Sequence, residues 1–181
     1  MGRVSWAIQG RAHMTGEAVI SPCGRYRYLL TRQIGRGAKA AIFIMLNPST
    51  ADATADDPTI RRCMGFARRW RCGVVRVVNL FAVRATDHAA IRVVDDPVGP
   101  DNPDWIERAV RVTRHRNLVV CAWGIHGTYL GQDRAVLDRL NARSIRPIAL
   151  GVTRHGHPRH PLYLPYTARL VPFAKETNIC P

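Results

Sequence analysis

The run Ala40-Ala41-Ile42-Phe43-Ile44-Met45-Leu46, closed at once by Asn47-Pro48-Ser49, decides how the rest of the chain is read. It is short, unbroken and rich in Ile and Phe, the pattern of a strand covered on both faces rather than one that alternates between core and water. Upstream, residues 18–34 read as a hairpin: Val19-Ile20, a turn at Ser21-Pro22-Cys23-Gly24, and a return through Tyr26-Arg27-Tyr28-Leu29-Leu30, placed at a solvent-facing edge.

Downstream, Asp57-Pro58 is a polar cap followed by a first-turn proline and predicts a helix over 58–70. On a helical wheel Ile60, Cys63, Met64, Phe66, Ala67 and Trp70 share one arc and Arg61, Arg62, Arg68 and Arg69 the other. The apolar arc should pack on the sheet and the arginines face outward, toward solvent or phosphate. Residues 74–81 predict a second buried strand with Asn79 at its end, 118–123 a third that closes on Trp123-Gly124, and 146–151 a short fourth. Helices are expected over 103–113 and 132–142. Strands alternating with helices imply an α/β fold, here three layers, α/β/α, around a mainly parallel central sheet. No repeat, linker or low-complexity tract divides the chain, so residues 1–181 read as a single domain carrying the hairpin at 18–34.

Hydrophobic residues make up 46% of the chain and charged residues 22%, a balance that supports a packed core and excludes a disordered tail. No apolar run is long enough for a membrane span and the first residues lack a secretory core, so a cytoplasmic, monomeric protein is expected. Cys23, Cys63, Cys72, Cys121 and Cys180 form no C-x-x-C pair and read as buried free thiols. The charge is lopsided: 27 Lys and Arg against 13 Asp and Glu, a net +14 in which only Lys39 and Lys175 are lysines. Such an excess suits a polyanion, and arginine suits phosphate because its planar fork can bond two oxygens. The expected partner is a nucleic acid, most naturally DNA.

In open α/β sheets ligands bind beyond the carboxyl ends of the strands. The residues there are Asn47, Asn79, Trp123-Gly124 with His126, and the basic loop running from Thr153 through Arg154, His155, His157 and Arg159 to His160. An asparagine closing a buried strand can offer both a donor and an acceptor, although either could equally shape a turn. The three close histidines could suggest zinc, but no cysteine or carboxylate stands beside them and the loop is basic, so contact with phosphate or a base is the better reading and no metal or cofactor is expected. Asp56 and Asp57 read as helix caps, and Asp52 is the reserve general base.

Taken together, Leu46-Asn47-Pro48-Ser49-Thr50-Ala51-Asp52, Asp57-Pro58-Thr59-Ile60-Arg61-Arg62-Cys63, Val78-Asn79-Leu80-Phe81, Ala122-Trp123-Gly124 and Arg159-His160-Pro161-Leu162-Tyr163-Leu164 are similar to a bacterial and phage family, domain of unknown function 1643, over nearly the whole chain. That family carries no activity with it. More distantly, the order Asn47-Pro48, Asn79, Trp123-Gly124, His160-Pro161 and Leu164 resembles the uracil-DNA glycosylase superfamily. The resemblance implies a glycosylase-like fold and DNA repair by base flipping, with Asn47 and His160 as catalytic residues: Asn47 positions water and His160 stabilises the departing base. Pro48, Ser49, Asn79 and Trp123 line the base pocket, and Leu164 enters the vacated stack.

Two departures matter. Asn47 stands where the fastest members have Asp, and an amide cannot take up a proton near neutrality. Ser49 stands where the uracil-specific branch has a bulky Tyr, which leaves room for 5-substituted pyrimidines. The expected activity is hydrolysis of an N-glycosidic bond to uracil, a 5-substituted pyrimidine or another damaged base. The alternatives are a non-catalytic module binding a modified base or DNA end, and an N-glycosidase for free nucleosides or nucleotides.

Overall fold

A computed structural model of the chain describes residues 7–9, 16–49, 51–111 and 117–174. At its centre is an eight-stranded sheet in the order β1-β2-β3-β5-β4-β6-β7-β8. The strands are β1 (Ala7–Gln9), β2 (Gly16–Ile20), β3 (Arg27–Gln33), β4 (Ala40–Met45), β5 (Val74–Asn79), β6 (Leu118–Cys121), β7 (Ile148–Ala149) and β8 (Val171–Pro172). Three α-helices accompany them: α1 (Pro58–Arg69), α2 (Asn102–Arg111) and α3 (Gln132–Asn141).

The sheet is mixed, where a mainly parallel one was expected. Strands β5, β4, β6 and β7 run parallel, but β1, β2 and β3 add an antiparallel wing beside β5, and β8 pairs antiparallel with β7. Hairpin connections force the antiparallel wing, whereas the longer excursions through α1 and α2 return the chain parallel. The hairpin's free edge is also displaced: β1 pairs with β2, so the 18–34 segment lies inside the sheet and most of β2 and β3 is buried.

β4 is the centre of the molecule. All six of its residues are buried, Ala40, Ile42 and Ile44 in the cluster that includes α2 and α3, and Ala41, Phe43 and Met45 in the cluster that includes α1. Helices therefore cover both faces. Successive side chains point to opposite faces and both faces are covered, which explains why this strand shows no alternation in polarity. Helix α1 begins where expected: Asp57 is extended (φ −79°, ψ 170°), its carboxylate accepts from the Ile60 N–H, and Pro58 occupies the first turn. At the other end of this layer Gly73 lies so close to Gly37 that a β-carbon would stand 1.9 Å from the Gly37 carbonyl oxygen, which restricts this crossing to glycine.

Helix α2 starts one residue before the expected Pro103, and its expected end at Thr113 lies outside the described residues, as does Cys180. Of the other cysteines three are buried, but Cys23 is exposed in the β2–β3 turn. Among the described residues no helix is long and apolar enough to cross a membrane.

Candidate functional site

A cleft of about 560 Å³ opens at the carboxyl ends of β4, β5 and β6. Its size falls within the range of small-molecule sites. The turn after β4 contributes Asn47 and Ser49, the end of β5 contributes Val77 and Asn79, the end of β6 contributes Trp123, and the 153–163 loop contributes Arg159 and His160. Parallel pairing holds these ends level, with Met45 opposite Asn79.

The two asparagines have different roles. Asn47 spends its amide nitrogen on the carbonyls of Ala85 (2.8 Å) and Pro48 (3.3 Å), bracing its own turn against the segment after β5. Pro48 is buried and does not line the cleft, so it supports the site without touching a ligand. Asn79 is only 1% exposed, and its side-chain oxygen has no hydrogen-bond partner. Its backbone is fixed by Asn102, whose amide donates to the carbonyls of Asn79 (2.9 Å) and Leu80 (3.1 Å). A buried acceptor left unpaired costs about 1–3 kcal/mol. Asn79 is among the residues that line the cleft.

His160 caps the 3-10 segment Pro161–Tyr163, its Nδ1 accepting from the Leu162 N–H at 3.3 Å. That bond places the ring proton on Nε2. Burial lowers the pKa of His160 from its ordinary 6.5, and the field of Asp57 opposes the shift without cancelling it. The ring is therefore a neutral donor at pH 7.

Arg27, Asp57 and His88 were not expected among the site residues. Arg27, on β3, lines the cleft although it is 2% exposed; its Nη1 donates to the Ala51 carbonyl (2.6 Å) and its Nε has no partner. Burial pulls its pKa down to about 10, opposed by Asp57, so it stays charged at neutrality. An arginine in a strand reads as the wet side of an edge, and nothing local marks it otherwise. Asp57 was read as a cap; it is one, and it also lines the cleft. At the rim the rings of His88 and His126 stack at 4.2 Å, and the His126 pKa is lowered by its burial, by His88 and by Arg92.

Several expected contacts fall elsewhere. Asp52 is outside the cleft. Its Oδ1 accepts from the Thr54 and Ala55 N–H groups and the Thr54 hydroxyl, which hold its carboxyl below the usual range, so it closes a turn and is a poor base. The loop carrying it is pinned from beneath by Arg32, which donates to the carbonyls of Asp52 and Ala55 and pairs with Asp56 at 2.8 Å. Leu164, the expected wedge, is 4% exposed and packs in the α1 cluster. Exposed apolar groups that line the cleft include its neighbours Leu162 and Tyr163, the latter 79% exposed, and Ile125.

The arginine arc of α1 also divides. Arg62 is laid over the Tyr166 ring at 4.0 Å and donates to the Leu164 carbonyl, so it ties α1 to the His160 loop rather than facing phosphate. Arg61 is exposed but bonds back to the Asp56 carbonyl. Arg68 and Arg69 are exposed at the far end of the helix, about 15 Å along its axis from the cleft. In the basic loop only Arg159 and His160 of the expected residues reach the cleft; exposed Arg154 bonds to His155 (2.8 Å), and His157 is half-buried. Among the described residues no three His, Cys, Asp or Glu side chains gather into a metal site.

A mixed-sheet α/β chain with a polar-lined cleft at its parallel strand ends is the class these features define. The chain belongs to the DUF1643 family of proteins of unknown function, whose model matches residues 27–162. No curated protein and no solved structure matches it.

Proposed function

We propose that this protein is an N-glycosidase acting on nucleic acid, most naturally DNA, with a glycosylase-like three-layer fold: a base swung out of its strand enters the cleft and its bond to the sugar is hydrolysed. The observation that carries this reading is the buried, unpaired oxygen of Asn79, a residue lining the cleft together with two groups able to receive negative charge, Arg27 and His160. A flipped base brings ring or exocyclic N–H groups that satisfy Asn79. As the glycosidic bond breaks, its electron pair leaves with the base. The His160 Nε2–H and the Arg27 guanidinium are preorganised donors for that charge, strongest once the base excludes water. Tyr163, Ile125 and the His88–His126 stack offer surfaces for flanking bases, and Arg159 supplies positive charge at the mouth. Ser49 leaves room for 5-substituted pyrimidines.

One observation favours a second reading. With its amide nitrogen committed to two carbonyls, Asn47 serves as a brace, and a site without water activation would bind a modified base without cleaving it. The test is incubation with single-stranded and duplex oligonucleotides, each carrying one altered base, and with free nucleosides, followed by alkaline cleavage at abasic sites. Strand cleavage that disappears in Asn79→Ala is expected. Salt-sensitive binding with no cleavage across the panel would replace this reading with the binding module, and equal turnover of free nucleosides would move the substrate away from nucleic acid.

A further inference from the structure

We infer that Asp57 is the catalytic carboxylate of this cleft, the group that holds and deprotonates the attacking water; this rests on the N-glycosidase reading above. Three other candidates, Asn47, Asp52 and His160, are set aside in turn. Asn47 cannot take up a proton and has its nitrogen engaged. Asp52 lies outside the cleft with three hydrogen bonds on one oxygen. His160 has Nδ1 occupied by the Leu162 N–H and presents a proton rather than a lone pair. Asp57 is the one acidic side chain among the residues lining the cleft.

Its geometry suits the task. The cap bond to the Ile60 N–H (2.8 Å) uses Oδ1 and fixes the carboxylate's direction, while Oδ2 has no hydrogen-bond partner among the described residues. Arg27, buried and charged, lies close enough to feel the field of Asp57. The negative charge of Asp57 in turn favours the positive charge that builds at the sugar C1′ as the base departs. The step balances simply. The water oxygen bonds to C1′, the C1′–N bond breaks with its electron pair going to the base, the water's proton passes to Asp57 and then to solvent, and the departed base takes up one proton from solvent. A cap and a base can be the same residue because the two roles use different oxygens.

The test is single-turnover cleavage of an oligonucleotide that the wild type cleaves, with Asp57→Asn and Asp57→Gly. Asparagine caps a helix as well as aspartate, and glycine costs only a few tenths of a kcal/mol, so both variants fold. The expected result for Asp57→Asn is a rate at least about a hundredfold lower, with affinity for the oligonucleotide no weaker than wild type and an unchanged melting temperature. Added formate should partly restore Asp57→Gly. A wild-type rate in Asp57→Asn, or a loss matched by equal loss of affinity and no formate rescue, overturns the assignment while leaving the glycosidase reading in place. A wild type that cleaves nothing overturns that reading, and this inference with it.

Discussion

Asn47 and Asn79 end neighbouring strands with the same side chain, yet the amide nitrogen of one is consumed by the protein and the oxygen of the other is unpaired. The difference lies in what surrounds each amide: two backbone carbonyls accept from the Asn47 nitrogen, whereas no donor reaches the Asn79 oxygen. Their truncations should therefore diverge. Asn47→Ala is expected to cost about 1–2 kcal/mol, because it leaves the braced carbonyls short of a donor, whereas Asn79→Ala should leave stability unchanged or slightly raised while weakening ligand binding. Denaturant unfolding of the two variants checks this, and a loss of stability in Asn79→Ala equal to that in Asn47→Ala would show that Asn79 is structural. In sequence the two residues look alike, since strand position is legible but the later chain segment that supplies Ala85 is not.

At the scale of elements, α1 was readable almost to the residue because its signals are local: a capping Asp, a first-turn Pro and a 3.6-residue apolar arc. Its partners were not. Arg62 and Tyr166 are about a hundred positions apart, and only the folded chain shows that the arginine lies flat on that ring instead of facing phosphate. The same distant packing turns Leu164 inward and leaves Tyr163 outside. Arg62→Ala should destabilise the protein by about 1–3 kcal/mol, through the lost cation–π contact and the unpaired Leu164 carbonyl, while Arg61→Ala should stay within about 0.5 kcal/mol. Thermal melts of the two variants decide it. Equal, negligible shifts would return Arg62 to the outward-facing arc.

For the whole molecule, the alternation of strands and helices made the α/β class legible, and the unbroken apolar run of β4 marked the centre of the sheet. The antiparallel wing was legible only in part, because pairing partners of edge strands are set by register over the whole sheet. The wing matters for function, since β3 delivers Arg27 into the cleft and Arg32 beneath the loop that leads to Asp57. The chain carries a net charge of +14, so on the proposed reading its affinity for oligonucleotides should fall steeply with salt. On the proposed reading, the cleft receives a base taken out of its strand, whether or not it is then cleaved. That claim is tested most directly by the fluorescence of 2-aminopurine placed beside an altered base in an oligonucleotide. Binding by the wild type should raise the emission as the neighbouring stack is lost, and Ser49→Trp, which fills the cleft, should bind without the rise. Tight binding by the wild type with no change in emission would contradict it.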